Sequence, residues 1–431
     1  MGKHAERVDR SIRAKRKILI VGAGQAGLQL ALSLPADRYD VTVMTTRTAE
    51  EIRDGRVMST QMMFGPALDR ERENGLNLWE SQAPAVTTFN VTVAGPPGAE
   101  PLRFTAALDA HAQSVDQRVK MSAWLERFRA RGGEVIVQHA TAAELPALTE
   151  QYDLTIVAAG RGDLVELFDR DPDRSPYDRP QRTLSVIYVH GMAPRDGFSA
   201  EHVGITVLPG VGELFTMPAL TTSGRCDIIF FEAVPGGPLD RWDTLLDPPR
   251  HLELALDLMR RYAPAEYERC GDVRPADERC NLIGAYAPTV RRPVGEPAGG
   301  TPVLGMGDVV VANDPIAGQG ANNAAHCAAV YARAILEHGD RPFDRAWMRR
   351  TFEAYWGHAR HSTAFSNLLL GPLPPHVQQV LGTAAGDPAV ARRFVNGYAD
   401  PGAFTGWLTG PDGASTHPGT LTDTADRQRV P

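Results

Sequence analysis

Two glycine-rich runs carry the residues best suited to chemistry. The first is Lys17-Ile-Leu-Ile-Val-Gly22-Ala-Gly24-Gln25-Ala26-Gly27-Leu28, an apolar stretch that ends in G-x-G-x-x-G. The second reads Gly307-Asp308-(x5)-Asp314-Pro315-Ile316-Ala317-Gly318-Gln319-Gly320-Ala321-Asn322. In a strand–turn–helix unit, Gly22 permits the tight turn, Gly24 lets backbone approach a pyrophosphate, and Gly27 allows strand and helix to pack closely. The helix N-terminus, opened by Gln25 and Ala26, then faces the phosphates. In the second run, Asp308 is expected at a strand end, where a carboxylate accepts hydrogen bonds from ribityl hydroxyls. Gly318, Gln319, Gly320, Ala321 and Asn322 open a helix whose amides point at a flavin pyrimidine carbonyl, and that positive end favours an anionic reduced ring. Alone, G-x-G-x-x-G is a weak signal; with this partner it points to FAD rather than NAD.

An acidic residue usually closes the second strand of such a unit and bonds the adenosine ribose. Here Val43-Met44 is followed by Thr45-Thr46-Arg47. A hydroxyl bonds a ribose more weakly than a carboxylate does, so FAD is expected to be held loosely and to exchange.

The elements that must position these residues follow from periodicity. Lys17–Val21 reads as a buried parallel-type strand, 25–34 as its helix, and Val41–Met44 as the second strand. Residues 51–112 form a long excursion with few strong signals. A helix is expected over 115–131, stopped by Gly132-Gly133, with strands at Glu134–Gln138 and Leu154–Ala158. From 184 to 235 the character changes to short β-type runs split by glycine and proline, which predicts an antiparallel sheet. Helices are expected at 251–262, 320–338 and 344–370, with a strand at 303–306. The predicted organisation is a disordered tail at 1–14 and a first FAD-binding part at 15–183, the excursion near 51–112 contributing a substrate pocket. A substrate domain at 184–280, a second FAD-binding part at 281–335, C-terminal helices at 336–410 and a loose tail at 411–431 follow.

Composition bounds the function class. The chain has 431 residues, 43% hydrophobic and 23% charged, enough for a large core without a disulfide or metal staple. A net charge of −7 argues against a nucleic-acid partner. No apolar run is long enough to span a bilayer, and no signal-peptide pattern opens the chain, so a cytoplasmic location is expected. The four cysteines show no C-x-x-C spacing and are expected to be reduced thiols, with no metal site.

These runs, with Thr45-x-Arg47, Arg56, Leu102-Arg103-Phe104, Val115-Asp116-x-Arg118, Ala130-Arg131-Gly132-Gly133, Gln151-Tyr152-Asp153-Leu154, Arg179-Pro180-Gln181-Arg182 and Leu373-Pro374-Pro375, resemble the flavoprotein monooxygenases of the p-hydroxybenzoate-hydroxylase fold. More narrowly, the chain resembles the epoxidase component of two-component styrene and indole monooxygenases over roughly 15–410. The fold implied is α/β: a Rossmann-type FAD-binding domain with a mostly parallel sheet, and a substrate domain with an antiparallel β-sheet. The third strand ends Ala158-Ala159-Gly160-Arg161, without the Asp-Gly pair that single-component hydroxylases of this fold use with pyridine nucleotides. The Trp-x-Trp-x-Ile-Pro signature of flavin-dependent halogenases is missing as well.

The resemblance implies an FADH2- and O2-dependent epoxidase of indole or styrene-like substrates, working through a C4a-(hydro)peroxyflavin. Reduced FAD comes from a separate NADH-dependent flavin reductase that associates transiently; a homodimer is compatible with the reading. The alternatives are a single-component NAD(P)H-dependent aromatic hydroxylase and a non-catalytic FAD-binding protein. Cofactor contacts are implied for Gly22, Gly24, Gln25, Ala26, Gly27, Thr45, Thr46, Arg47, Arg118, Gly160, Asp308, Pro315, Gly318, Gln319, Gly320, Ala321 and Asn322. Ser59, Gln61 and Met63 stand where styrene-type enzymes carry Asn, Val and His, which resembles the indole-type branch. Arg56, Val86, Phe89, Ala112, Pro315, Ile316 and Ala317 complete the expected substrate pocket, with Phe89 in place of a smaller aliphatic residue. Strand alternation would put Ser59, Gln61 and Met63 on one face. Oxygen transfer by the flavin requires no acid–base side chain, and none is expected.

Overall fold

The computed structural model describes residues 15–96, 98–160, 162–197, 201–242 and 246–410. The tails expected at 1–14 and 411–431 lie outside them. The first ten strands in chain order are β1 (Arg16–Val21), β2 (Tyr39–Thr45), β3 (Val86–Val93), β4 (Leu102–Ala112), β5 (Glu134–Val137), β6 (Leu154–Val157), β7 (Thr183–His190), β8 (His202–Leu208), β9 (Gly212–Thr221) and β10 (Gly224–Ala233).

Among the described residues two large sheets, with a two-stranded one of Thr289–Val290 and Val311–Ala312 beside them, organise the chain. The first has six strands in the order Val294–Gly295, Val303–Gly305, β6, β1, β2, β5. All its pairings are parallel except that of Val294–Gly295 with Val303–Gly305. Ile18, Leu19, Ile20 and Val21 of β1 are all buried, as a parallel strand covered on both faces requires. Helix Gln25–Ser33 buries eight of its nine residues and packs beside Gly320–His338.

The second sheet has eight strands, ordered Arg274–Pro275, β7, β10, β9, β8, β3, β4, with Asn281–Gly284 also on β7. Only β3 and β8 pair in parallel. Thus β3 and β4, inside the excursion that the sequence left without strong signals, extend this sheet beyond the strands expected from 184 onward. Their alternating threonines and arginine weaken the apolar pattern, yet β4 still buries Phe104, Ala106 and Leu108 on one face.

The dinucleotide-type turn is closed by contact. Gly22 has φ +123°, and a Cβ there would stand 2.6 Å from the carbonyl carbon of Ala158. A Cβ on Gly27 would stand 2.2 Å from the Gly22 carbonyl oxygen. Both positions therefore exclude a side chain for reasons of packing, before any ligand is considered. Gly27→Ala is expected to destabilise the fold by about 2 kcal/mol or more, read as a lowered denaturation midpoint.

Candidate functional site

A cavity of about 600 Å3 joins the two sheets. One end is polar and backbone-rich. Gly22, Gly24, Gln25 and Ala26 of the first turn line it, with Thr45, Thr46 and Arg47 after β2, Gly160 after β6, and Asp308. The wall continues through Pro315, Ile316, Gly318, Gly320 and Ala321. The far end is the apolar face of the second sheet: Leu184 and Val186, Val203 and Ile205, Phe215 and Met217, and Phe230. These residues stand two apart along β7, β8 and β9, the spacing that puts side chains on one face.

Gln138, His139 and Ala140, directly after β5, also line the cavity, as do Asp163, Tyr286, Asn313 and Tyr398. Sequence reasoning missed all of them. The first three had a usable signal, because ligands of open α/β sheets sit beyond the carboxyl ends of the strands.

The 59–63 segment departs from the strand alternation expected of Ser59, Gln61 and Met63. Arg56 to Met62 has no regular structure, so Met58, Ser59, Thr60, Gln61 and Met62 all reach the wall in succession. Side-chain and main-chain anchors hold it: Tyr188 Oη donates to the Ser59 carbonyl at 3.2 Å, and Gln61 Nε2 donates to the Val115 carbonyl. Met63 turns away from the cavity. It bridges Gln113 and packs with Ala67, Leu68 and Ala325, because alternation does not hold in an irregular segment.

Several other expected contacts lie behind the wall. Val86 and Ala112 face each other across β3 and β4, fully buried in the core. Gly27 lies beneath the turn, and Ala317 is buried behind Pro315 and Ile316. Asn322 fastens the helix start to the irregular segment: its Nδ2 donates to the Met62 and Gly318 carbonyls at 2.8 Å, and its Oδ1 accepts from Phe64 N. Gln319 donates to the Ala317 and Tyr398 carbonyls. At a glycine-rich helix start the backbone faces the cavity, and the longer polar side chains turn back to satisfy buried carbonyls.

The two arginines are also displaced from their expected roles. Arg118 is 2% exposed and bound by Asp116, Asp277 and Thr221, all within 3.0 Å, so it braces helix Gln117–Ala130 rather than lining the cavity. Arg56 is exposed, with its guanidinium on the Asn281 side-chain oxygen. That contact fixes the Asn281 amide, whose nitrogen donates to His251 Nδ1 at 2.9 Å. The ring proton therefore sits on Nε2, facing Ser185 Oγ at 2.7 Å. Burial pushes His251 down to about 4, so it stays neutral. This buried Ser–His–Asn row cannot withdraw the serine proton and is structural.

Thr45 is buried at the end of β2, where its hydroxyl and the Arg47 main chain lie 3.3–3.4 Å apart. The aromatic rings of Phe64, Phe89 and Tyr398, all residues of the cavity wall, cluster with centroids 5.3–6.4 Å apart. Phe89 packs edge-on to Tyr398.

Behind Pro315 lies a group of acids. Asp314 is 2% exposed and caps the following turn by accepting from Ile316 N at 3.2 Å. Glu232 is fully buried, and Glu213 on the paired strand is held by Arg182 at 2.8 Å. Burial first, then the neighbouring Asp314 carboxyl, pushes Glu232 well above the usual carboxylate range, and burial raises Asp314 too. Glu232 is therefore held neutral.

The fold and sequence have relatives. A family model described as "Styrene monooxygenase A putative substrate binding domain" matches residues 160–269. The protein named styrene monooxygenase StyA from Pseudomonas fluorescens is 30% identical over 400 residues, covering 90% of this chain and 94% of that protein. A StyA from a Pseudomonas species matches with the same identity and coverage. Among solved structures, the flavin-dependent brominase Bmp2 superimposes with a TM-score of 0.61 at 12% identity, over 87% of this chain and 94% of that one. The 2-methyl-3-hydroxypyridine-5-carboxylic acid oxygenase does so with 0.55 at 16%, over 92% and 96%. At such identities these structures establish the fold alone, which is the α/β fold of p-hydroxybenzoate-hydroxylase-like proteins, with one mostly parallel and one mostly antiparallel sheet.

Two outcomes follow from the geometry. A Cβ on Gly24 meets nothing within 4 Å and the residue has φ −86°, so Gly24→Ala should leave stability within about 0.5 kcal/mol. Because that Cβ projects from the cavity wall, the same variant should weaken dinucleotide binding by about tenfold, or 1.4 kcal/mol, in a fluorescence titration with FAD. For Glu232, an acid with a raised folded-state pKa penalises the folded chain as pH rises above the ordinary value of 4.5. Glu232→Gln should gain stability relative to the parent as pH rises from about 4.5 to 8, and the gain should level off below that range. Denaturation midpoints across pH test it; a pH-independent difference would mean that Glu232 is not held protonated.

Proposed function

The chain belongs to the styrene monooxygenase family, and we propose that it is the epoxidase component of a two-component system. In this reading it uses reduced FAD from a separate NADH-dependent flavin reductase, and O2, to oxygenate the C=C bond of indole or styrene-like substrates. The observation that carries the reading is one continuous cavity with a backbone-lined end and an apolar end.

The backbone-lined end fits a dinucleotide. Gly24 leaves open space where any side chain would intrude, while Gly22 and Gly27 are packed too tightly to bear one. Gly22, Gly24, Gln25 and Ala26 would hold the pyrophosphate, Thr45, Thr46 and Arg47 the adenosine side, and Asp308 the ribityl chain. Pro315, Ile316, Gly318, Gly320 and Ala321 would border the ring. When bound and reduced, FAD supplies the electrons that activate O2.

The chain's own work is to exclude water and orient the alkene. The apolar sheet face and the Phe64, Phe89 and Tyr398 rings do the first. Tyr398 keeps its proton, because burial raises it far above the usual tyrosine range. Gln61 serves the second. A carbonyl can only accept, so the Val115 carbonyl fixes Nε2 on its own side of the amide. That leaves Gln61 Oε1, which accepts from Ser59 Oγ at 3.5 Å, with a second lone pair to offer from a residue of the cavity wall. An indole N–H can use this acceptor and a styrene has no donor to offer it, which favours the indole-type branch.

Anaerobically reduced FAD mixed with the protein and then with oxygen tests the activity. A flavin absorbance distinct from both the reduced and oxidised forms, decaying faster with indole and giving an oxygenated product that goes on to indigo, is the expected result. Immediate return to oxidised FAD with release of hydrogen peroxide, or NADH consumption by the protein alone, would overturn the proposal. Gln61→Val should lower kcat/KM for indole by about 2- to 12-fold more than for styrene, the worth of one hydrogen bond. The ratio is the readout, since the orphaned Val115 carbonyl affects both substrates alike.

A further inference from the structure

Asn313 immediately precedes the Asp314-Pro315 turn and lies on the cavity wall. It is 7% exposed, and three contacts fix it. Tyr286 Oη donates to its backbone carbonyl at 2.6 Å. Thr363 Oγ1, from helix Arg345–Leu370, donates to its side-chain Oδ1 at 2.9 Å. The short strand Val311–Ala312 before it is pinned to Thr289–Val290. The side-chain amide nitrogen, by contrast, is buried with no hydrogen-bond partner among the described residues.

A buried N–H without an acceptor is costly, and native structures leave few of them. This one belongs to a residue of the cavity wall whose side-chain oxygen is anchored to the protein. We propose that the Asn313 amide is a binding residue that donates a hydrogen bond to a lone-pair acceptor, a carbonyl or ether oxygen or a ring nitrogen, on the molecule that fills the cavity. The inference rests on reading the cavity as the flavin and substrate site. Two sources can present that chemistry there: the carbonyl-bearing edge of the flavin ring, or an acceptor group on the aromatic substrate. In the second case the pocket offers an acceptor at Gln61 and a donor at Asn313. It would then select an indole that carries an oxygen substituent over the parent indole.

The test is equilibrium binding, without turnover, of oxidised FAD, indole and indole-3-carbaldehyde to the intact chain. Asn313→Leu removes the donor at similar size, and Asn313→Asp replaces it with an acceptor. A rise of about 3- to 10-fold in the FAD dissociation constant in Asn313→Leu, and a larger one in Asn313→Asp, supports the proposal and assigns the flavin as source. Unchanged FAD binding, with weakened binding of the aldehyde relative to indole, supports it and assigns the substrate. Thr363→Val loosens the anchor while keeping the amide, and should give a smaller loss in the same direction.

If Asn313→Leu lowers the denaturation midpoint but binds all three ligands as the parent does, the residue is only a packing element and the proposal falls. It falls also if Asn313→Asp binds like the parent, because the amide would then face the cavity with its oxygen. A parent protein that binds no FAD at all would instead overturn the reading of the cavity itself, a result visible before any variant is made.

Discussion

The rest of the structure depends on the contact between the first glycine turn and the end of β6. Gly22 lies against the Ala158 backbone and Gly27 against the Gly22 carbonyl, at separations that no side chain tolerates. This close approach draws β1, β6 and helix Gln25–Ser33 together. It leaves the carboxyl ends of β1, β2, β5 and β6 opening on one side, where the cavity forms. The cavity is thus a consequence of backbone packing, and its polar end is made mainly of atoms that every residue possesses.

Around that contact, polar side chains act as fasteners. Lys120 and Gln25 both meet the buried Glu71 carboxylate, at 2.7 and 2.9 Å, tying the turn helix to two others. Arg118 does the same between Asp116 and Asp277, and Arg182 with Glu213. Buried pairs of this kind contribute little net stability, because desolvation offsets attraction, but removing one partner strands a charge. Their value is geometric. Asn322 and Gln319 extend the same logic with neutral amides, locking the second glycine run to the irregular 58–62 segment and to Tyr398.

The cavity therefore changes character along its length. Backbone amides and short polar groups suit phosphate and ribose at one end, and an aliphatic and aromatic sheet face suits a planar hydrocarbon at the other. Between them stand the turn at Asp314–Gly318 and the acids behind it. Neutral Glu232 lets this turn rest against a buried carboxyl without stacking two negative charges in a low-dielectric place.

Much of the parallel sheet was legible because its logic is local. Four consecutive apolar residues before G-x-G-x-x-G identify β1 and its helix, and the pairing of the two glycine runs pointed to their shared cavity. The same locality explains why Gly22, Gly24, Thr45, Asp308 and Gly318 share one cavity wall. What the sequence alone could not determine were side-chain directions in segments without a period. Alternation predicted one face for Ser59, Gln61 and Met63, but the chain there is held by the Val115 carbonyl and Tyr188, partners 54 and 129 residues away, and Met63 turns out of the site. Arg56, Arg118, Gln319 and Asn322 carry the chemistry of ligand binding, yet each has at least one partner on a distant segment that turns it into a brace. Gln138, His139, Asn313 and Tyr398 reached the wall by the reverse route. Local pattern determined which elements form and where backbone must be bare. Only the long-range closure of two sheets decided which polar side chains face the cavity, because each buried donor and acceptor must first be satisfied by whatever the fold brings near it.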